Sequence, residues 1–337
     1  MASGPALRVG IVGAGLMGRF HARAARMAGS RVVAIADADP AAAQRLALSV
    51  GKEVASGTVD ELITPERVDA VHVCTPVREH GSACSFILGR GIHVLSEKPL
   101  TQTAAETQAL LDLAESHKLI LCPVHQFPFQ KGAIDAVARL PEVGRIRWVT
   151  AEMCTAGASQ VAEALHDEVL LDILPHPLSL LYNFLGGDLA TGQWGMTSAA
   201  DGELLVTAVI RGTGASILLS THGRPTGNTM RVVGDRASIA LDLFHGFSTL
   251  ESGRVSRLSK MARPFTSSTR TLVAATANSV RRGSARETAF PGLRELSARF
   301  YLAIVGRGKT PVSPAEMIDI ATVRDRIADA VRITPAG

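Results

Sequence analysis

The residues best equipped for chemistry are Lys98, in SEKPL, and Asp172 and His176, four apart in LLDILPHPLSLLYNFLG. Proline fixes its own φ and restricts the residue before it, so Pro99 helps to aim the Lys98 ammonium. Such a cation can stabilise a developing alkoxide. On a helix, an aspartate and a histidine four apart share a face. The carboxylate can then orient the imidazole and favour its charged form. A histidine titrating near neutrality is suited to take a hydroxyl proton. The same spacing also fits a buried structural pair, or a helix broken at Pro175.

A second constellation binds rather than reacts. Gly13-Ala14-Gly15-Leu16-Met17-Gly18 fits G-x-G-x-x-G. In that pattern the first glycine permits a tight turn, the second admits a pyrophosphate to the backbone, and the third lets helix and strand pack closely. The helix opening there points free N–H groups and its positive dipole end at the phosphates. Asp37 stands at the end of the next strand, near the ~20-residue offset of a ribose-binding acid. Its carboxylate accepts from ribose hydroxyls and repels a 2′-phosphate, and the turn after it holds Ala38 and no arginine. The expected cofactor is therefore NAD, with NADP disfavoured.

Elements to position these groups are legible in the periodicity. Leu7–Val12, Arg31–Ala36, Ala70–Cys74, Ile92–Leu95 and Leu119–Cys122 read as buried strands. Helices are expected over Leu16–Ala28, Glu79–Leu88 and Ala104–His117. This alternation predicts an α/β, doubly wound parallel sheet of the Rossmann type over residues 1–123. Residues 124–337 read differently. Helices over Gly132–Leu140 and Val169–Leu185 are joined by the strand-like segments Ile146–Met153, Gln193–Met196, Leu204–Ile210, Ser216–Ser220, Met230–Val233 and Ala237–Leu243. That pattern predicts an α+β domain with a large, mainly antiparallel sheet and a C-terminal helix near 315–331. Residues 252–290 are the least periodic part.

Composition excludes several classes. Of 337 residues 46% are hydrophobic and 20% charged, and the net charge is only +4, so no nucleic-acid partner is expected. Cys74, Cys84, Cys122 and Cys154 form no Cys-x-x-Cys pair, and no His, Cys, Asp and Glu cluster has metal-ligand spacing. Reduced thiols, no metal and a cytoplasmic setting are expected. The apolar run Val169–Leu185 contains Asp172, Pro175, His176, Pro177 and Asn183, a poor membrane span. The basic residues Arg254, Arg257, Lys260, Arg263, Arg270, Arg281, Arg282 and Arg286 read as a solvated surface, or as an arm that meets an anionic substrate.

Cys74-Thr75-Pro76 with His80, then HVLSEKPL at 93–100 and Asp172-x-x-x-His176, resemble the Gfo/Idh/MocA family of oxidoreductases. The likeness runs from Val9 to about Leu185 and continues weakly to the C-terminal helix. It implies cofactor contacts from Cys74, Thr75, Pro76, His80, Glu97, Lys98 and Gln126, and a cis Lys98–Pro99 bond. It also implies a substrate site of Lys98, Gln126, Phe127, Asp172 and His176. His125-Gln126-Phe127 departs from the family's Asn-Arg-Arg-Phe-like run. The expected reaction interconverts a secondary alcohol and a ketone on a sugar, cyclitol, sugar acid or nucleotide sugar. His176 would hold the proton, Lys98 would stabilise the alkoxide, and hydride would pass to or from nicotinamide C4. Transient use of bound NAD and a non-catalytic NAD-binding regulator stay open as alternatives. A homodimer or homotetramer through the C-terminal sheet is expected.

Overall fold

Two sheets organise the computed structural model, which describes residues 6–156, 165–200, 202–253, 256–287 and 289–333. The chain divides into two compact units. One takes the residues up to His125 together with Leu293–Ala321; the other takes Gln126–Gly292 and the segment from Thr322.

The first unit is built from β1 (Arg8–Val12), α1 (Leu16–Met27), β2 (Arg31–Ala36), α2 (Pro40–Val50), β3 (Ala55–Gly57), α3 (Val59–Leu62), β4 (Ala70–Val73), α4 (Val77–Gly89), β5 (His93–Ser96), α5 (Ala104–Ser116) and β6 (Leu121–Pro123). All six strands run parallel in the order β3-β2-β1-β4-β5-β6. Parallel strands covered on both faces must be apolar throughout, and Val9, Ile11, Val71, Val73, Val94 and Leu95 are sealed from water. Caps end the helices where the sequence supplies them. Asp39 accepts from the Ala41 amide ahead of α2, and Thr103 and Glu106 form a capping box on α5.

The second unit holds α6 (Lys131–Ala138), α7 (Leu140–Val143), β7 (Ile146–Cys154), α8 (His166–Ile173), α9 (Pro175–Leu185), β8 (Gln193–Ala200), β9 (Glu203–Ile210), β10 (Thr213–Ser220), β11 (Gly227–Gly234), β12 (Ala237–Asp242), β13 (Phe247–Ser252) and α10 (Arg257–Ser284). Its sheet runs β13-β12-β11-β7-β10-β9-β8, antiparallel except where β7 meets β10. Strand β9 alternates, with Leu204, Val206, Ala208 and Ile210 buried and Leu205 and Val209 exposed.

Three expectations need correction. The helix read over Val169–Leu185 is two helices broken at Leu174, because Pro175 and Pro177 have no N–H to continue the ladder. The stretch 252–290, read as aperiodic, contains the 28-residue helix α10. Its inward face is polar: Ser267, Arg263 and Asn278 bond to Glu251 and the His245 carbonyl, while Met261, Phe265 and Leu272 face water. Of the basic residues singled out, Arg254 lies outside the described residues. Finally, not everything after residue 123 groups with the second sheet. Helix α11 (Leu293–Ile304) belongs to the first unit, where Phe300 and Tyr301 pack on His72. Helix α12 (Pro314–Ile333) begins in the first unit and continues in the second.

Candidate active site

The glycine turn follows β1 at the carboxyl edge of the parallel sheet, where doubly wound folds hold ligands. Gly13 has φ +99°, and a Cβ there would lie 2.5 Å from the Cys74 carbonyl oxygen. A Cβ on Gly18 would lie 2.0 Å from the Gly13 carbonyl oxygen. Both glycines are therefore demanded by the fold. At Gly15 a Cβ would meet nothing within 4 Å, so that glycine answers no internal packing need. The Asp37 carboxylate accepts from the Ala14 amide at 2.6 Å and from the Asp39 amide at 2.8 Å, which fixes it against the turn. Ala14 is buried, whereas Leu16, at the head of α1, is exposed.

The same edge carries the other candidates of this unit. The Cys74 amide bonds to the Val12 carbonyl and the Glu97 amide to the Val73 carbonyl, so both loops start in register with the glycine turn. His80, in the first turn of α4, sets Nδ1 2.7 Å from the Pro99 carbonyl and Nε2 2.8 Å from the Thr75 carbonyl. It thereby links the Thr75-Pro76 loop to the Lys98-Pro99 segment. The Lys98–Pro99 peptide is cis. The Lys98 amide donates to Glu97 Oε2 at 3.2 Å. Burial alone would raise the Glu97 carboxyl, but its bond to His21 and the nearby cations hold it below the usual carboxylate range. Burial, then the Glu97 charge, pushes the Cys74 thiol up.

In the second unit, Gln126 and Phe127 open a single 3-10 turn, Phe127–Phe129. Phe127 stacks on His176 with ring centroids 4.3 Å apart and an interplanar angle of 14°. His176 sits in the first turn of α9 and Asp172 near the end of α8. Leu174 between them keeps helical φ and ψ, so the two stay close to an i, i+4 relation across the break.

Two observations test whether a dinucleotide suits these residues. The Thr75 Oγ1 atom is buried without a hydrogen-bond partner, a state that native polar groups rarely keep unless a ligand or water serves them. The open space at Gly15 is the second. Both fit. Among the described residues no group of three or more His, Cys, Asp or Glu could hold a metal ion.

A family described as an oxidoreductase family with an NAD-binding Rossmann fold matches residues 7–125. Over those residues the chain is similar to the Gfo/Idh/MocA family. A rhizopine catabolism protein, MocA, of Rhizobium meliloti is 42% identical over 34% of this chain and 36% of its own length. The chain thus spans about a third of that relative. A UDP-N-acetylglucosamine 3-dehydrogenase of Acidithiobacillus ferrooxidans is 28% identical over 67% of this chain and 71% of its own. Among solved structures, a levoglucosan dehydrogenase in complex with NADH and levoglucosan superposes with TM-score 0.78 at 16% identity, covering 97% of both chains. A 3-ketoreductase of Actinomadura kijaniata in complex with NADP gives 0.70 at 19% identity, covering 96% of this chain and 97% of that one. At these identities the two structures show a shared fold alone.

Sequence reasoning missed the partners of the EKP loop. His21, read as packing, hydrogen-bonds Glu97, and His72, inside a strand buried throughout, hydrogen-bonds His21. The available signal was a histidine placed amid AVHV, since a buried polar group needs a partner.

Proposed function

We propose that this chain is an NAD-dependent dehydrogenase or reductase acting on a CH–OH group of a sugar, cyclitol, sugar acid or nucleotide sugar. The observation that carries this reading is a lysine beside a buried carboxylate, on the same sheet edge as a glycine turn left open at Gly15. Gly13, Ala14, Gly15, Leu16, Met17 and Gly18 would take the pyrophosphate at the α1 N-terminus. Asp37 would take the adenosine ribose, and its charge opposes a 2′-phosphate, favouring NAD. Cys74, Thr75, Pro76, His80, Glu97 and Gln126 would line the rest of the cofactor, with Thr75 Oγ1 gaining a partner. Bound, the nicotinamide supplies the hydride acceptor or donor.

The remaining steps belong to the protein. His176, held flat by Phe127, takes the hydroxyl proton on oxidation and returns it on reduction. Lys98 stabilises the alkoxide electrostatically. Asp172 orients His176 or a neighbouring substrate hydroxyl. The outward row Trp148, Leu205, Val209 and Leu218 on the second sheet supports a homo-oligomer through that face. No described helix is long and apolar enough to cross a membrane.

Purified protein incubated with NAD and a panel of sugars and cyclitols tests the reading. Substrate-dependent growth of the reduced-nicotinamide absorbance is expected. Substrate turnover without net NADH would replace it with transient redox chemistry, and NAD binding with no turnover would replace it with a regulator.

A further inference from the structure

The first unit holds a continuous line of buried hydrogen bonds that the chemistry above does not use. Glu97 Oε1 meets His21 Nε2 at 2.9 Å, His21 Nδ1 meets His72 Nδ1 at 2.9 Å, and His72 Nε2 meets the Tyr301 hydroxyl at 2.8 Å. The Ser30 hydroxyl acts on the same phenol and favours its ionised form. His21 and His72 are wholly buried, and Glu97, Tyr301 and Ser30 nearly so. Ser30 immediately precedes β2 and Glu97 immediately follows β5. The line therefore joins opposite edges of the parallel sheet, ending at the residue before Lys98.

Hydrogen-bond chemistry restricts this line to two states. Two Nδ1 atoms 2.9 Å apart share one proton, so one ring donates and the other accepts. If His21 carries a proton only on Nε2, His72 must donate from Nδ1 and accept from Tyr301 at Nε2. Every donor then points toward the Glu97 carboxylate. If His21 carries both protons, His72 must accept at Nδ1 and donate from Nε2 to Tyr301, which turns to Ser30. The polarity of the outer half is reversed.

We infer that Ser30, Tyr301, His72 and His21 form a proton relay that switches the net charge beside Lys98 by one unit. In one passage the Tyr301 proton moves to His72 Nε2 and the His72 Nδ1 proton moves to His21 Nδ1. Tyr301 recovers a proton from water through Ser30. Only N–H and O–H bonds change, and no electrons are transferred. The Glu97–His21 pair then carries no net charge instead of one negative charge. Its effect on turnover rests on the proposed role of Lys98; the relay itself does not. The four side chains are positioning residues, since none is placed on substrate.

Other ionisable groups set the background. Lys98 acts on Glu97 from the same loop, and the Glu97 charge acts on Cys74 in the neighbouring one. Burial, then repulsion from His21, keeps the His72 ring far from a second proton, so it passes protons without storing one.

Nitrogen-15 NMR of the histidine rings across pH, with signals assigned by His21→Gln and His72→Gln, reads the two states directly. His72 should exchange its Nδ1–H tautomer for the Nε2–H tautomer as His21 gains its second proton. Tyr301→Phe leaves His72 Nε2 unpaired in both states and cuts the path from Ser30, so exchange of the His21 Nδ1 proton with solvent should slow at least about tenfold while both tautomers persist. In the wild-type protein the pH profile of kcat/KM should follow the change of His72 tautomer. A single His72 tautomer at every pH, or a His21 proton that exchanges at the wild-type rate in Tyr301→Phe, would overturn the relay. Failure of the dehydrogenase reading appears separately, as absent turnover with the ring titration intact.

Discussion

At the scale of single residues, Asp37 tests cofactor choice. Its two backbone bonds hold the carboxylate against the glycine turn. A hydrogen bond to a charged group is worth about 1.5–3 kcal/mol. Asp37→Ala should therefore weaken NAD binding by roughly 10- to 100-fold while barely changing that of NADP, read by calorimetric titration. Equal losses for both nucleotides would remove the ribose assignment. The motif residues were legible because their chemistry is local: six residues of loop, one acid, one Lys-Pro step. His72 was not, because its partners arrive from 51 and 229 positions away. No periodicity carries that information. Phe127 was read as a substrate contact; its observed neighbour is the His176 ring.

Among the elements, the β1–α1 turn separates fold from binding. Gly18→Ala forces a Cβ against the Gly13 carbonyl and should destabilise by about 1–3 kcal/mol, lowering Tm in a thermal melt. Gly15→Ala meets no neighbour, so Tm should hold while NAD affinity drops. A Gly15→Ala protein with full affinity would mean that the pyrophosphate lies elsewhere. Strands of the parallel sheet were readable because burial on both faces makes them continuously apolar. Helix α10 was hidden because it packs by its polar side, through Ser267 and Asn278, and so breaks the usual inward-apolar rule. The break at Leu174 was among the alternatives that Pro175 raised.

For the whole molecule, strand–helix alternation announced the Rossmann unit, and the run of strands announced the second sheet. What the pattern could not tell was that α11 returns to the first unit, since that depends on Tyr301 finding His72. The exposed apolar row of the second sheet makes assembly testable: Leu205→Glu with Val209→Glu should lower the mass seen by light scattering to that of one chain. A wild-type mass already equal to one chain would contradict assembly through this face. The central claim concerns the reacting groups, and turnover of Lys98→Ala and His176→Ala on an identified substrate tests it most directly. Each should lose roughly 10²- to 10⁴-fold in kcat, with NAD still bound by His176→Ala. Unchanged kcat in both variants would contradict the account.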